Sequence, residues 1–243
     1  MIDIHCHILP NFDDGAADLH ESIAMARMAE ASGVKAIVAT PHFPGDAASF
    51  RRIGAMLGRF ERLEQAVRQE GLKVKLFPGA EILCLPETPR LAAQKVLPTI
   101  GNSNYLLVEF NFGESSAYMD EMLEALVQAE YRPVVAHPER YRAVQGNLQL
   151  LRSWFDRGYV LQLNKGSILG AFGGRVQQTA NQILADGMAH VIASDAHGTD
   201  RRTPHMGALM QWLDEHCEPE YARILTELNP ARLLLGKDMA PIR

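Results

Sequence analysis

The chain opens Met1-Ile2-Asp3-Ile4-His5-Cys6-His7, a short apolar run that ends in a His-x-His pair. Ser194-Asp195-Ala196-His197 directly follows another apolar run, His190–Ala193. If a strand persists through His5–His7, its period of two points both imidazoles the same way, so that both can grip one ion. Two unrelated surface histidines are the alternative, and the pair alone does not choose between them. Recurrence does. Strand-like runs fall at about Ile2–His5, Lys35–Thr40, Val74–Pro78, Tyr105–Glu109, Arg132–Ala136, Tyr159–Leu163 and His190–Ala193. Six of the seven end in, or are soon followed by, residues that can bind metal: His5, His7, Asp14, His42, Glu81, Glu109, His137, Asp195 and His197.

Helical patterns alternate with these runs. They are predicted near Leu19–Ser32, Ser49–Glu70, Leu148–Arg157, Val176–Asp186, His205–His216 and Pro219–Leu228. Asp18 and Glu21 are placed as a capping box for the first helix, and Gly33 follows its last turn. Apolar strands alternating with helices imply an α/β fold with a parallel sheet covered by helices. Such sheets build their sites at the C-terminal strand ends, in barrels and in open sheets alike. An open sheet concentrates ligands near one switch point. Here strands one to five and seven all contribute, and Asn164 and Lys165 sit at the rim after the sixth. A closed, distorted (β/α)7 barrel is the expected architecture. No Pro/Gly/Ser-rich linker, repeat or low-complexity stretch divides residues 1–243, so a single domain is expected.

Bulk properties narrow the function. Hydrophobic residues make up 47% and charged residues 22%, an ordinary soluble composition. A net charge of −5 offers no footprint for a nucleic-acid backbone. Three widely spaced cysteines form no disulfide framework and suit a reducing cytoplasm. No apolar run approaches the roughly 20 residues that span a bilayer, and the start lacks the layout of a signal peptide.

The individual motifs carry different weight. Phe12-Asp13-Asp14-Gly15 is a turn with two acids; Asp-Gly turns are common, so Asp13 reads as structural and Asp14 gains weight from its company. In Thr40-Pro41-His42 the proline fixes the chain as it leaves the sheet. In Gly79-Ala80-Glu81 the glycine allows close backbone approach. Glu109 ends an apolar run, where a charge is costly unless paired, on a metal, or exposed at the strand end. His137 is followed three residues on by Arg140, and Asp195-Ala196-His197 leads to Arg201 and Arg202. Arginine offers phosphate a planar fork of donors; a solvated surface position is an equal reading for Arg201, and Arg202 ranks above it. Imidazole plus carboxylate suits manganese, iron or zinc, and the lack of a cysteine cluster argues against a structural zinc knuckle. His20, His190, His205 and His216 belong to no such cluster and default to structural roles.

Taken in order, Met1–His7, Asp13–Gly15, Ala39–His42, Pro78–Glu81, Ala136–Arg140, Asn164–Ser167, Ser194–His197 and Asn229–Arg232 resemble the PHP (polymerase and histidinol phosphatase) superfamily. Within it, the chain is similar to the bacterial metal-dependent tyrosine-protein phosphatases of capsular and exopolysaccharide loci, the CpsB/CapC/YwqE type. The resemblance implies two to three divalent ions, manganese foremost, with iron or zinc also suited. One would be held by His5, His7, Glu81 and Asp195, a second by Glu81, Glu109 and His137, a third by Asp14, His42 and His197. Relatives acting on other phosphoesters often carry His where this chain has Asp14 and Glu109. Arg140 and Arg202 match the positions that hold the substrate phosphate. The implied substrate is a phosphotyrosine protein, a bacterial tyrosine autokinase in the cytoplasm, with no nucleic-acid partner. The implied chemistry is in-line attack on phosphorus by a metal-bridging hydroxide, formed near neutral pH because bound ions bring the pKa of water to about 7. Phenolate leaves more readily than a serine alkoxide and needs less acid help. A small-molecule phosphatase, histidinol-phosphate phosphatase being the family example, is the main alternative. A non-catalytic metal-binding regulator is another, and a metal-dependent nuclease a third that the acidic balance disfavours.

One motif points elsewhere. Cys84-Leu-Pro-Glu-Thr-Pro-Arg90 matches the Cys-x5-Arg spacing of thiol-dependent tyrosine phosphatases. Such a loop must cradle a dianion with backbone N–H groups. Pro86 and Pro89 have none, Glu87 repels phosphate, and no glycine supplies backbone freedom. Cys84→Ser is therefore expected to keep kcat within about threefold of wild type, far from the roughly 10²–10⁴ lost with an acid–base group or nucleophile. Trapping a phosphocysteine at position 84 during turnover would reverse this assignment.

Overall fold

A computed structural model describes residues 1–242. In chain order the elements are β1 (Ile2–Cys6), α1 (Leu19–Ala31), β2 (Ala36–Ala39), β3 (His42–Pro44), α2 (Ala47–Phe50), α3 (Ile53–Gln69), β4 (Lys75–Pro78), β5 (Glu81–Leu83), α4 (Thr88–Ala93), β6 (Tyr105–Glu109), α5 (Ser116–Gln128), β7 (Arg132–Ala136), α6 (Leu148–Asp156), β8 (Val160–Asn164), α7 (Lys165–Ile168), α8 (Gly174–Ala185), β9 (Val191–Ala193), α9 (Gly207–His216), α10 (Pro219–Arg223) and α11 (Asn229–Leu234). The fold is α/β, and every strand pair is parallel. The strands form two sheets, ordered β1-β2-β4 and β3-β5-β6-β7-β8-β9. β1 also meets the chain just beyond β9. Cys6 bridges Ala196 in parallel, and the Asp195 N–H donates to the His5 carbonyl at 2.9 Å.

The second and third predicted strands form as β2 and β4, and after a break each runs on into a short further strand, β3 or β5. Pro41 makes the break after the second, because it has no N–H to give the ladder. Its carbonyl instead accepts the Glu81 N–H at 3.0 Å. The third breaks at Gly79-Ala80, where the two chains run so close that a Cβ on Gly79 would lie 2.7 Å from Val38 Cγ1. The short outer pieces β3 and β5 pair in a register that sets His42 opposite Glu81, and β5 pairs with β6 so that Leu83 faces Glu109. These two breaks therefore deliver three candidate ligands to one rim.

Two further expectations need correction, and one helix was not foreseen. The helix expected over Ser49–Glu70 is two helices: Asp46 caps a first short turn by accepting the Ser49 N–H at 2.7 Å, and α3 starts afresh at Ile53. The helix expected to stop at Leu228 continues. Pro230 lacks an N–H for its preceding turn, the chain widens to a π-turn over Ile224–Leu228, and α11 follows. A helix also fills Ser116–Gln128, opened by Ser115, which accepts the Tyr118 N–H.

The strands carry two apolar clusters on opposite faces. Ile4, Val38, Tyr105, Leu107, Val134, Val160 and Val191 form one, joined by Leu233 of α11. Leu106, Val108, Val135, Leu161 and Ile192 face the other way, onto the helices. The alternation through β6 is the period of two read directly. Gln162 and Asn164 continue the Val160 face of β8 past the apolar layer, so the polar site sits on top of a dry one.

His190 lies just before β9 and is buried. Its Nδ1 accepts the Leu161 N–H at 3.1 Å, and its ring stacks on Phe155 at 5.0 Å. Burial pushes its pKa down to about 4. In the unfolded chain the imidazole takes a proton below about 6.5. The unfolded state therefore binds the extra proton between those values, and stability falls as pH drops through the window, by on the order of 3 kcal/mol. Wild type is expected to lose denaturation midpoint relative to His190→Gln between about pH 6.5 and 4. Parallel pH profiles for the two proteins would clear His190 of this role.

Candidate metal centre

Glu81 is the hub. It is fully buried, and imidazole nitrogens from four places in the sequence surround it. Oε2 lies 3.2 Å from Nε2 of His5, 3.2 Å from Nε2 of His7 and 3.0 Å from Nδ1 of His42. Oε1 lies 2.8 Å from Nε2 of His137. Oε2 has no hydrogen bond of good geometry despite three nitrogens at hand. Burial disfavours the carboxylate charge, but the His5 charge and hydrogen bonds from His137, His42 and His5 hold its pKa well below the usual range.

The tautomers of His5 and His7 are set from behind. His7 Nδ1 lies 2.7 Å from Asp13 Oδ2, and His5 Nδ1 lies 2.8 Å from Gln162 Oε1. A carboxylate and an amide oxygen can only accept, so both rings carry a proton on Nδ1; burial opposes charge on the rings but the carboxylates around them raise both pKa values, and once an ion displaces the second proton each ring turns a lone pair on Nε2 inward. Those two Nε2 atoms are 3.2 Å apart. Two facing lone pairs beside two carboxylates form a donor set that calls for a cation, and the neutral His-carboxylate chemistry fits a divalent ion.

Asp195 closes the same cluster. Oδ1 lies 3.4 and 3.5 Å from Nε2 of His5 and His7, and Asn164 donates its amide N–H to Oδ2. Gln162 in turn donates to Asn164 Oδ1 at 2.8 Å. One amide chain thus ties His5 to Asp195 through Gln162 and Asn164. His42 reaches both ways: Nδ1 is 3.0 Å from Glu109 Oε1, and Nε2 is 3.5 Å from Asp14 Oδ1. His197 Nε2 is also 3.5 Å from Asp14 Oδ1. Burial, then the neighbouring His7 and Arg202, lower the His197 pKa to about 3 and keep its ring neutral.

All nine residues singled out in the sequence converge here, and seven of them fall into three compact groups: His5-His7-Glu81, His42-Glu81-Glu109, and His7-Asp14-His42-His197. His137 stands 3.9 Å from Glu109 Oε2, so it flanks the second group. Three residues of the site, His137, Asp195 and Arg202, hold left-handed backbone at φ 36°, 49° and 48°. Such strain in non-glycine residues clusters at functional sites.

Arg140 and Arg202 both approach Asp195. Arg140 Nη1 is 3.5 Å from Oδ2, and Arg202 Nη2 is 2.5 Å from Oδ1. They come from different loops, after β7 and after β9, and both side chains remain partly exposed. Cys84, by contrast, is buried, and burial followed by the Glu109 charge pushes its thiol far above the reactive range. The Cys-x5-Arg match is a packing element.

Sequence reasoning missed Asp13 and Gln162. Asp13 was read as a plain turn residue, yet its carboxylate orients His7 and accepts the His42 N–H at 2.8 Å. Burial opposes its charge, but hydrogen bonding from His7 and the His7 charge lower its pKa. Gln162 could have been flagged as the one polar residue inside the run Tyr159–Leu163.

Among known proteins, the family model described as capsular polysaccharide synthesis, CpsB/CapC, matches residues 1–235. The tyrosine-protein phosphatase YwqE of Bacillus subtilis is 34% identical over 240 residues, covering 97% of this chain and 91% of the relative. The tyrosine-protein phosphatase CpsB of Streptococcus pneumoniae is 29% identical over 253 residues, covering 98% and 99%. A crystal structure from work on YwqE and CpsB as metal-dependent tyrosine phosphatases aligns with a TM-score of 0.86 at 31% identity, covering 99% of this chain and 96% of that one. A dihydropyrimidinase from Brevibacillus agri, at 12% identity and a TM-score of 0.60, shares the fold alone. Matched almost end to end by sequence and by backbone, the chain belongs to the CpsB/CapC family.

Proposed function

We propose that the chain is a metal-dependent protein-tyrosine phosphatase, a phosphoric monoester hydrolase that acts on phosphotyrosine in a protein of capsular or exopolysaccharide synthesis. The observation that carries this reading is the convergence of five imidazoles and three further carboxylates around Glu81, with two guanidinium groups at the rim. The named relatives are tyrosine-protein phosphatases, and the solved structure that aligns end to end comes from work on metal-dependent ones. The substrate we favour is a tyrosine autokinase in the cytoplasm. Among the described residues no helix is long and apolar enough to cross a membrane, so contact with membrane machinery would run through that partner.

The architecture we favour is a single domain over residues 1–243 built as a distorted (β/α)7 barrel. Its support is the Cys6–Ala196 bridge, together with β2 and β4 each running on into a strand of the second sheet. His5, His7, Asp14, His42, Glu81, Glu109, His137, Asp195 and His197 would hold two to three divalent ions, with manganese our first choice and iron or zinc also suited to these ligands. Bound there, the ions supply a nucleophilic water near neutral pH and positive charge opposite the phosphoryl oxygens.

The chain's own residues do the rest. Asp13 and Gln162 fix the imidazole tautomers, so the ligands meet the ions without a proton in the way. Asn164 steadies Asp195 between the ligand cluster and the two arginines. Arg140 and Arg202 are placed to exchange part of their contact with Asp195 for the equatorial oxygens of a bound phosphate. Those bonds strengthen as charge builds there in the transition state. A phenolate leaving group needs little acid help, and no side chain at the rim has to supply a covalent intermediate.

Chelation is expected to abolish turnover of a phosphotyrosine peptide, and Mn²⁺ or another divalent ion to restore it. Undiminished turnover after verified removal of metal would end the reading. Arg140→Ala is expected to lower kcat/KM by roughly 10²-fold or more at unchanged metal stoichiometry, as for loss of a preorganised charge partner. His137→Ala should lose metal and activity together. Normal turnover by a fully metallated Arg140→Ala would strip this residue of its role on phosphate.

A further inference from the structure

Two phenylalanines crowd the arginines of the rim. Phe112 follows β6 on the loop Asn111-Phe112-Gly113 and leaves 42% of its surface in water. Its place is nonetheless fixed. The Phe112 carbonyl accepts the Arg142 N–H at 2.9 Å. Its ring stands edge-on to His137 at 5.9 Å and lies 6.3 Å from the ring of Tyr141. The Arg140 guanidinium carbon lies 4.3 Å from the centre of the Phe112 ring and 4.5 Å from that of Phe172. Arg202 lies 5.8 Å from the Phe172 ring on its own side.

Phe172 is held as firmly. It packs on Gly166, where an added Cβ would come within 2.8 Å of Phe172 Cε2. The adjoining Lys165 donates to the carbonyls of Thr203 and His205, joining this loop to the one that carries Arg202. The part of an apolar ring left in water at the edge of a charged site contributes no burial to the fold. Flat faces beside a guanidinium can orient that cation, and they can also receive another ring.

We propose that Phe112 and Phe172 form an aromatic slot that takes the phenyl ring of the ester and makes the site prefer phosphotyrosine to phosphoserine. This rests on the phosphatase reading above. A phosphate seated between the ligand cluster and Arg140 has the tyrosyl ring one bridging oxygen away. Phe112 touches both walls of that seat, His137 and Arg140. A phosphoserine reaches its own backbone after one carbon and has no face to present. The two rings therefore reward aryl esters through contacts that alkyl esters cannot make, over and above the lower basicity of phenolate.

Leaving-group acidity must be removed from the test. The substrates are phenyl phosphate and a fluorinated alkyl phosphate of matched leaving-group acidity, assayed with Mn²⁺-loaded enzyme. The readout is the aryl-to-alkyl ratio of kcat/KM. Aromatic pairing predicts that this ratio falls by about three- to tenfold in Phe112→Ala and Phe112→Leu, and that Phe112→Tyr keeps it within about twofold. Gly166→Ala, which displaces Phe172, should lower it as well. Loosening of Arg140 in these variants slows both esters alike and leaves the ratio alone. If both esters are hydrolysed and Phe112→Ala shows the wild-type ratio, the slot is refuted while the phosphatase reading stands. If wild type with full metal hydrolyses neither ester nor a phosphotyrosine peptide, both readings fall.

Discussion

A carboxylate with no access to water cannot keep its charge unless the protein surrounds it with compensation. Glu81 is such a group, and the site is organised by that requirement. β5 exists as a separate short strand because the chain turns at Gly79-Ala80, and that turn carries Glu81 into the centre. His42 stands opposite it in register, Glu109 ends the neighbouring strand, and the His5–His7 pair reaches it from β1. Each contributor is itself held by a group further out: Asp13 behind His7, Gln162 behind His5, Asn164 behind Asp195. A ring of ligands around one buried charge is stiff for the reason a keystone arch is stiff. No member can move without leaving another uncompensated.

The rim obeys a second constraint. Arg140 and Arg202 share Asp195, and so are both drawn to the edge of the imidazole–carboxylate cluster. Burial disfavours the charge on Asp195, but His5 and the His7 hydrogen bond keep it ionised. Asp195 and Arg202 both sit in left-handed backbone. That conformation lets the loop fold back on itself within seven residues, with Arg202 Nε donating to the Asp195 carbonyl at 3.2 Å. The strain is local, and the contacts that hold it are the ones the site uses.

Much of this was legible in the residues. β6 and β7 match the predicted runs Tyr105–Glu109 and Arg132–Ala136, because a buried parallel strand is a continuous apolar segment with sharp ends. All nine ligand candidates could be picked out because His and carboxylate recur at strand ends. The helix at Ser116–Gln128 was missed, although Met119, Met122, Leu123 and Leu126 follow helical spacing behind a Ser cap. The three-residue strands at His42 and Glu81 were not legible, since three residues carry no period. Asp13 was hidden for a different reason. An Asp-Gly turn has the same sequence whether its carboxylate faces water or an imidazole, and only the folded chain brings His7 to it. Phe112 and Phe172 lie 60 residues apart in separate loops, and nothing local marks either as a neighbour of Arg140.

The junction between β1 and the chain after β9 also sets when the site comes into being. Ser194 Oγ donates to the His5 carbonyl across 189 residues of sequence. At about 5–20 residues per second of synthesis, roughly 10–40 s separate the two on the ribosome. For that time the first two imidazoles exist without Asp195 or His197, and Gln162 arrives late as well. A nascent chain therefore carries candidate ligands but not the full set, and the convergence of all nine side chains is a property of the finished polypeptide. The long loop that must close before these contacts are rewarded also places the molecule among the slower folders.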